Sequence, residues 1–94
     1  MGTYILLSRV TDSGAATIKK HPERIKEVNH EIEEFGARVL HQYATVGAYD
    51  FVTVVEAPDL AAVTRVSVEL GARGSIKIQT LPALPIDEFI ANLE

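Results

Sequence analysis

The sequence predicts an α+β fold in which four antiparallel strands form one sheet and two helices cover one face of that sheet. Four short apolar and β-branched segments, bounded by turn residues, have the pattern of strands. Segments with apolar residues three and four positions apart lie between them and have the pattern of helices. The resulting order, β-α-β-β-α-β, is that of the ferredoxin-like sandwich. Right-handed crossovers then predict the sheet order 4-1-3-2.

The first strand and the first helical segment occupy the N-terminal third of the chain. Residues 3–9 are rich in apolar and aromatic side chains, with no residue that interrupts a strand. Residues 11–13 offer side-chain oxygens that can cap a short helix, and Pro22 interrupts that helix because proline has no N–H to donate. The main helix follows and ends at Gly36. Its apolar side has the expected spacing: Ile25, Val28, Ile32 and Phe35.

The middle of the chain predicts a hairpin. Residues 37–45 alternate between two kinds of side chain, with Val39, His41 and Tyr43 expected on one face. Residues 47–50 turn the chain, and residues 51–56 are almost continuously apolar, as in a central strand.

The last third predicts a second helix, a fourth strand and a short C-terminal helix. Pro58 and Asp59 begin the second helix, which glycines end before a strand over residues 75–81. Pro82 and Pro85 are expected to prevent further ladder pairing. The C-terminal helix has one apolar stripe: Ile86, Phe89, Ile90 and Leu93.

One face of the sheet is expected to lack a helical cover. On regular strand alternation it carries His41, Tyr43, Phe51, Thr53, Val55, Lys77 and Gln79, together with Tyr4, Leu6 and Ser8 or their alternates. Such a face is too apolar to remain in water, and a second copy of the chain is the common way to cover it. We therefore expect a homo-oligomer, a dimer or larger.

Composition limits the classes of partner. The 94 residues are expected to form one domain, residues 1–94, with no cysteine for disulfides or thiolate chemistry. A net charge of −4 with nine Lys and Arg gives no basic surface for nucleic acid or for an anionic membrane. The N-terminal apolar run is too short for a signal peptide or a membrane span, so a cytoplasmic location is expected.

The chain resembles the GYD-domain family of small bacterial and archaeal proteins. The resemblance is carried by Gly47-Ala48-Tyr49-Asp50, Leu7-Ser8-Arg9 with Thr11 and Gly14, Pro22-Glu23-Arg24, and the run from Tyr49-Asp50-Phe51-Val52 to Val55-Glu56-Ala57-Pro58-Asp59. Ala48 separates the glycine and the tyrosine of the signature. The resemblance implies a ferredoxin-like fold of the dimeric α/β-barrel type, and it implies no particular activity.

Two candidate sites combine groups able to do chemistry. His41 and Tyr43 share one face of an edge strand, where a histidine that titrates near neutral pH and a phenol can act as acid, base or hydrogen-bond donor. A hydrogen-bonded subunit interface is the commoner explanation of the same pair. Tyr49 and Asp50 can orient a ligand at the hairpin, although Gly47 at positive φ, with Asp50 accepting backbone N–H groups, explains them as turn residues.

Lys77 and Gln79 on the other edge strand offer a cation and an amide to an anionic ligand, whereas an edge lysine also protects a strand from aggregation. No cofactor or metal site is predicted, because the pair His30 and Glu34 has no third ligand at a suitable spacing.

These residues leave three functional interpretations open. The first is an oligomeric module that binds a small metabolite at the sheet edge or the subunit boundary. The second is a cofactor-independent enzyme for a small aromatic or carbonyl substrate, with His41 as acid or base. The third is a structural subunit or a ligand sensor within a larger complex.

Overall fold

The structure is a computed structural model that describes residues 1–94. Its elements are β1 (Gly2–Val10), α1 (Asp12–Lys20), α2 (Arg24–Glu34), β2 (Arg38–Ala44), β3 (Phe51–Ala57), α3 (Leu60–Gly71), β4 (Ile76–Ala83) and α4 (Ile86–Ala91). The strands form one antiparallel sheet in the order β2-β3-β1-β4. This is the predicted order read from the other edge, so the α+β class and the strand order are confirmed.

Local sequence signals determine where the helices begin. The Thr11 hydroxyl caps α1 by accepting the Gly14 N–H, and the Asp59 carboxylate caps α3 by accepting the Ala62 N–H at 2.9 Å. The predicted interruption at Pro22 separates α1 from α2. Because a Cβ on Gly14 would lie 2.1 Å from the Ser75 carbonyl oxygen, only glycine lets α1 approach the start of β4 this closely.

The core lies between the helices and one face of the sheet. Its most enclosed side chains alternate along the two central strands and line one side of α3, with Ile32 added from α2. The buried apolar set is Tyr4, Leu6, Ile32, Ala37, Val55, Ala57, Val63, Val66 and Leu70. β1 and β3, the most apolar strands, are central as predicted. Each has a neighbouring strand on both sides, which shields its edges from water.

A β-bulge in β2 overturns the predicted division between the two faces. Val39 pairs with Val55, but His41 pairs with Val54, so one extra residue is accommodated between Val39 and His41. The bulge rotates His41 and Tyr43 onto the face opposite to Val39. The prediction that Phe51, Thr53 and Val55 share a face with His41 and Tyr43 is therefore wrong, since all three point toward the helices. On β1 the alternates of Tyr4, Leu6 and Ser8 lie on the uncovered side.

The C-terminal end also differs from its prediction. β4 continues past the expected stop, because Pro82 pairs with Tyr4 and Ala83 pairs with Thr3 in the ladder. An edge strand tolerates proline when the missing N–H would point away from the sheet. After β4, α4 forms as expected, yet none of its residues is buried. None of the four helices combines the length and the apolar character that crossing a bilayer requires.

Candidate functional site: the open face of the sheet

The uncovered side of the sheet, which we call the open face, has an apolar centre. Two rows of register partners cross it, Tyr43-Val52-Leu7-Gln79 and His41-Val54-Ile5-Leu81. The four central side chains of these rows are only partly buried, although they are aliphatic. Charged residues lie toward the two ends of the strands, with Arg9 opposite Lys77 and Arg38 opposite Glu56. An apolar centre with a polar rim is the usual composition of a protein-binding surface.

The hairpin between β2 and β3 places Tyr49 at one end of this face. Gly47 has φ +134°, as expected for a turn glycine. The Tyr49 hydroxyl donates a hydrogen bond to Gln79 Oε1 at 2.5 Å, and the Arg9 guanidinium lies 5.5 Å from the centre of the tyrosine ring. The chain thus brings together Tyr49 and Gln79, two of the candidate ligand-binding residues, across the end of β1.

Asp50 has a structural contact within this arrangement. Its Oδ2 accepts the backbone N–H of Val10 at 2.9 Å, and its own N–H donates to the Ser8 carbonyl at 2.8 Å. The carboxylate therefore ties the hairpin to the end of β1 instead of accepting N–H groups inside the turn. Lys77 is exposed and lies opposite Arg9, beside the Tyr49 and Gln79 pair.

His41 and Tyr43 lie at the opposite edge of the same face. Both are exposed on β2, and two strands separate them from β4, so the two edges are about 14 Å apart at a strand spacing of about 4.8 Å. This separation keeps His41 and Tyr43 from sharing a small ligand with Lys77 and Gln79. The acid–base role of His41 stays a prediction.

A cavity of about 320 Å³ on the other side of the sheet was missed by sequence reasoning. The cavity lies between α1, α2 and the covered face. It is lined mainly by apolar side chains, with the hydroxyls of Ser8 and Thr53 on its floor and the amides of Asn29 and Gln42 on its wall. The sequence feature that could have indicated the cavity is the presence of Ser8 and Thr53 in strands that are otherwise apolar.

A charged cluster joins the two main helices beside this cavity. Glu31 of α2 forms ion pairs with Arg24 and with Arg73, which follows α3. The hydrogen bond from Arg73 lowers the pKa of the Glu31 carboxyl below its usual value, and the positive charges of Arg73 and Arg24 act in the same direction. The same contact raises the pKa of Arg73. The cluster therefore stays ionised and connects α2 to the end of α3.

The family model described as "GYD domain" matches residues 4–93 of the chain. The chain belongs to the GYD-domain family. The resemblance predicted from the Gly47-Ala48-Tyr49-Asp50 turn and its companion segments is thereby confirmed.

Two proteins of Thermus thermophilus are similar to this GYD-domain chain. One is named glutamine synthetase and cystathionine beta-lyase binding protein, and it is 56% identical over 95 residues that cover all of both chains. The other is the crystal structure of TTHA0845, which has a TM-score of 0.59 and 22% identity over 90% of this chain and 95% of that chain. The second similarity concerns the fold alone.

Proposed function

We propose that this GYD-domain chain is a protein-binding module that attaches to metabolic enzymes, with glutamine synthetase and cystathionine beta-lyase as the first candidate partners. The observation that carries the proposal is the full-length relative at 56% identity, whose name describes binding of those two enzymes. An identity of this size over the whole chain makes a similar binding surface the simplest expectation.

We further propose that two copies associate through the open face, in the manner of ferredoxin-like chains that form dimeric α/β barrels. The four aliphatic side chains at the centre of the face support this proposal, because their contact with water is unfavourable and a second copy removes it. His41 and Tyr43 would then lie at the subunit boundary on one edge, and a metabolite would be held at the other edge beside Tyr49, Asp50, Lys77 and Gln79.

The C-terminal segment, residues 84–94, is the surface we assign to the partner enzyme. Leu84, Ile86, Phe89, Ile90 and Leu93 are between 46% and 71% exposed. Asp87, Glu88 and Glu94 make the same segment acidic. A short amphipathic helix with no fully buried residue is suited to an apolar groove on another protein.

The test measures binding of the purified chain to glutamine synthetase and to cystathionine beta-lyase, both purified from the same organism, by biolayer interferometry. The double variant Ile86→Ser, Phe89→Ser removes two side chains of the stripe while leaving the core intact. We expect it to weaken binding at least tenfold. Val68→Ser is the matched control, because Val68 is 64% exposed on α3 and outside the segment. The control should bind within twofold of the unchanged chain.

Each other result has a defined meaning. If the unchanged chain binds neither enzyme at about 50 μM, the proposed function is wrong. If the double variant binds normally, the C-terminal segment is not the binding surface. Light scattering on the same samples tests the homo-oligomer separately, and a monomer at micromolar concentration would contradict it.

A further inference from the structure

The cavity beneath α1 and α2 takes no part in the proposed attachment to enzymes. We propose that this cavity is a binding site for a small, neutral, mainly apolar molecule that carries one oxygen able to accept a hydrogen bond. A substituted aromatic ketone represents the class. The inference rests on the size of the cavity, on two hydroxyl groups on its floor, and on the charge balance of its arginines.

The cavity is partly open to solvent, and its volume suits a small ligand. The cavity measures about 320 Å³, which lies in the range of about 300–1,000 Å³ that is usual for small-molecule sites. An apolar cavity of about 150 Å³ already accepts benzene. An aromatic ring with a short substituent therefore fits.

Two side-chain hydroxyls are available to such a ligand. Ser8 is 5% exposed and lines the cavity, and its hydroxyl takes part in none of the side-chain hydrogen bonds of the chain. Every fully enclosed side-chain nitrogen and oxygen has a partner, so the Ser8 hydroxyl is reached from the cavity itself. Thr53 is 3% exposed, and its Oγ1 accepts from Gln42 Nε2 at 3.1 Å, which leaves its O–H free to donate.

These two groups are held in fixed positions. Leu6 pairs with Thr53 and Ser8 pairs with Phe51, so Ser8 and Thr53 are diagonal neighbours about 7–8 Å apart on adjacent central strands. The wall beside them is held by a reciprocal amide pair. Asn29 Nδ2 donates to Gln42 Oε1 at 2.7 Å, and Gln42 Nε2 donates to Asn29 Oδ1 at 3.1 Å. The hydroxyl donors are therefore already in position before a ligand oxygen binds.

Charge balance indicates that the ligand is neutral. Arg24 and Arg73 both line the cavity, yet Glu31 pairs with each of them and Glu27 also pairs with Arg24. A carboxylate ligand would have to displace Glu31 or remain buried without a cation, and an unpaired buried charge is strongly unfavourable. A carbonyl or ether oxygen needs only the hydroxyl donors.

The test compares acetophenone with benzoate, which has a similar size but carries a negative charge. Each is titrated into the full chain labelled with ¹⁵N, and amide chemical shifts are recorded. We expect acetophenone to saturate at a dissociation constant below about 1 mM, a modest affinity for a ligand of this size. The shifts should cluster on β1, β3, α1 and α2 and be absent from residues 84–94. Benzoate should bind at least tenfold more weakly.

Three variants test whether acetophenone binds in the cavity or at another surface. Ser8→Ala removes the available hydroxyl with almost no change of shape, and we expect acetophenone to bind about three- to tenfold more weakly. Val28→Phe places a larger side chain in the cavity and should abolish saturation. Val68→Ser, which lies exposed on α3 and outside the cavity lining, is the control and should leave the affinity unchanged.

Three outcomes would overturn the proposal. The first is a titration that does not saturate or whose shifts cluster outside β1, β3, α1 and α2. The second is unchanged affinity in both Ser8→Ala and Val28→Phe, with folding verified by circular dichroism. The third is a crystal structure in which ordered waters occupy the cavity and acetophenone does not displace them, which would make it a hydration site. Equal affinity for benzoate would overturn the assignment of a neutral ligand.

Discussion

The two faces of the sheet are built from alternate residues of the same strands, yet they differ in burial and in what covers them. On β1, Leu6 is 2% exposed beneath the helices, whereas its neighbour Leu7 lies on the open face and is only partly buried. On β3, Val55 is fully buried and Val54 is not. The covered face supports the helices and encloses the cavity, while the open face presents aliphatic side chains to the surroundings.

This difference separates residues that stabilise the chain from residues available for association. A side chain that is buried within the chain contributes its transfer free energy to folding. A side chain on the open face is only partly covered by its own chain, so the remainder of that free energy is gained when another molecule covers it. Substitutions of neighbouring residues on one strand should therefore have different consequences.

The largest difference is expected between Leu6→Ala and Leu7→Ala. Leu6→Ala should destabilise the chain by about 2–5 kcal/mol, because it removes a fully buried side chain and leaves a void. Leu7→Ala should cost less, about 1–2 kcal/mol in the free energy of unfolding, and it should also weaken self-association. Urea denaturation and light scattering at matched concentrations measure the two effects. Equal destabilisation by the two variants would show that the open face supports folding as much as the covered one.

On the covered side, the contact of α1 with the sheet is tested by Gly14→Ala. The new Cβ would lie 2.1 Å from the Ser75 carbonyl oxygen, so α1 must shift. We expect a loss of about 1–3 kcal/mol, seen as a lower melting temperature. Gly71→Ala is the control, since nothing lies within 4 Å of its Cβ position and alanine favours helix. If Gly14→Ala has the same melting temperature as the unchanged chain, α1 is not held this tightly.

On the open side, the hairpin that carries Tyr49 is tested by Gly47→Val. Gly47 has φ +134° with open space around it, so the cost arises from the backbone alone and should be about 1–2 kcal/mol. Ala48→Val should cost less, because no residue other than glycine in this chain has a positive φ. Thermal melting compares the two variants. Equal shifts would mean that the turn can relax without its glycine.

The smallest effect is expected from the ion pairs of Glu31. Arg73 lowers the pKa of the Glu31 carboxyl from its usual value of 4.5, so the folded state favours the ionised form. The resulting stabilisation is present above the unfolded-state pKa and is lost as the pH falls through the lowered folded-state pKa. Glu31→Gln should remove this contribution to the pH dependence of the free energy of unfolding. The contribution amounts to less than about 1 kcal/mol between pH 7 and pH 3.

Glu33→Gln serves as the control for that measurement. The Glu33 side chain is 50% exposed and lies 4.0 Å from His30. Its replacement should leave the pH dependence of unfolding, measured in urea, close to that of the unchanged chain. A Glu31→Gln variant with the same acid dependence as the unchanged chain would show that the helix-joining cluster contributes nothing measurable.

Local signals in the sequence were sufficient for most of the fold. Apolar spacing located the helices, Pro22 separated α1 from α2, and the glycine turn located the hairpin. The candidate site was predicted less well. The pairing of Tyr49 with Gln79 joins residues 30 positions apart, and the Asp50 contact to Val10 spans 40. No local pattern reports such contacts.

The sequence by itself determined the α+β class, the strand order and the family, because periodicity, turn residues and the handedness of crossovers act over short stretches or through general rules. Only the tertiary structure decided which side chains share a face. One extra residue in β2, between Val39 and His41, reverses the phase of the strand relative to β3. The volume left between α1, α2 and the sheet is likewise decided by packing, because it depends on how closely Gly14 and Ser75 bring separate elements together.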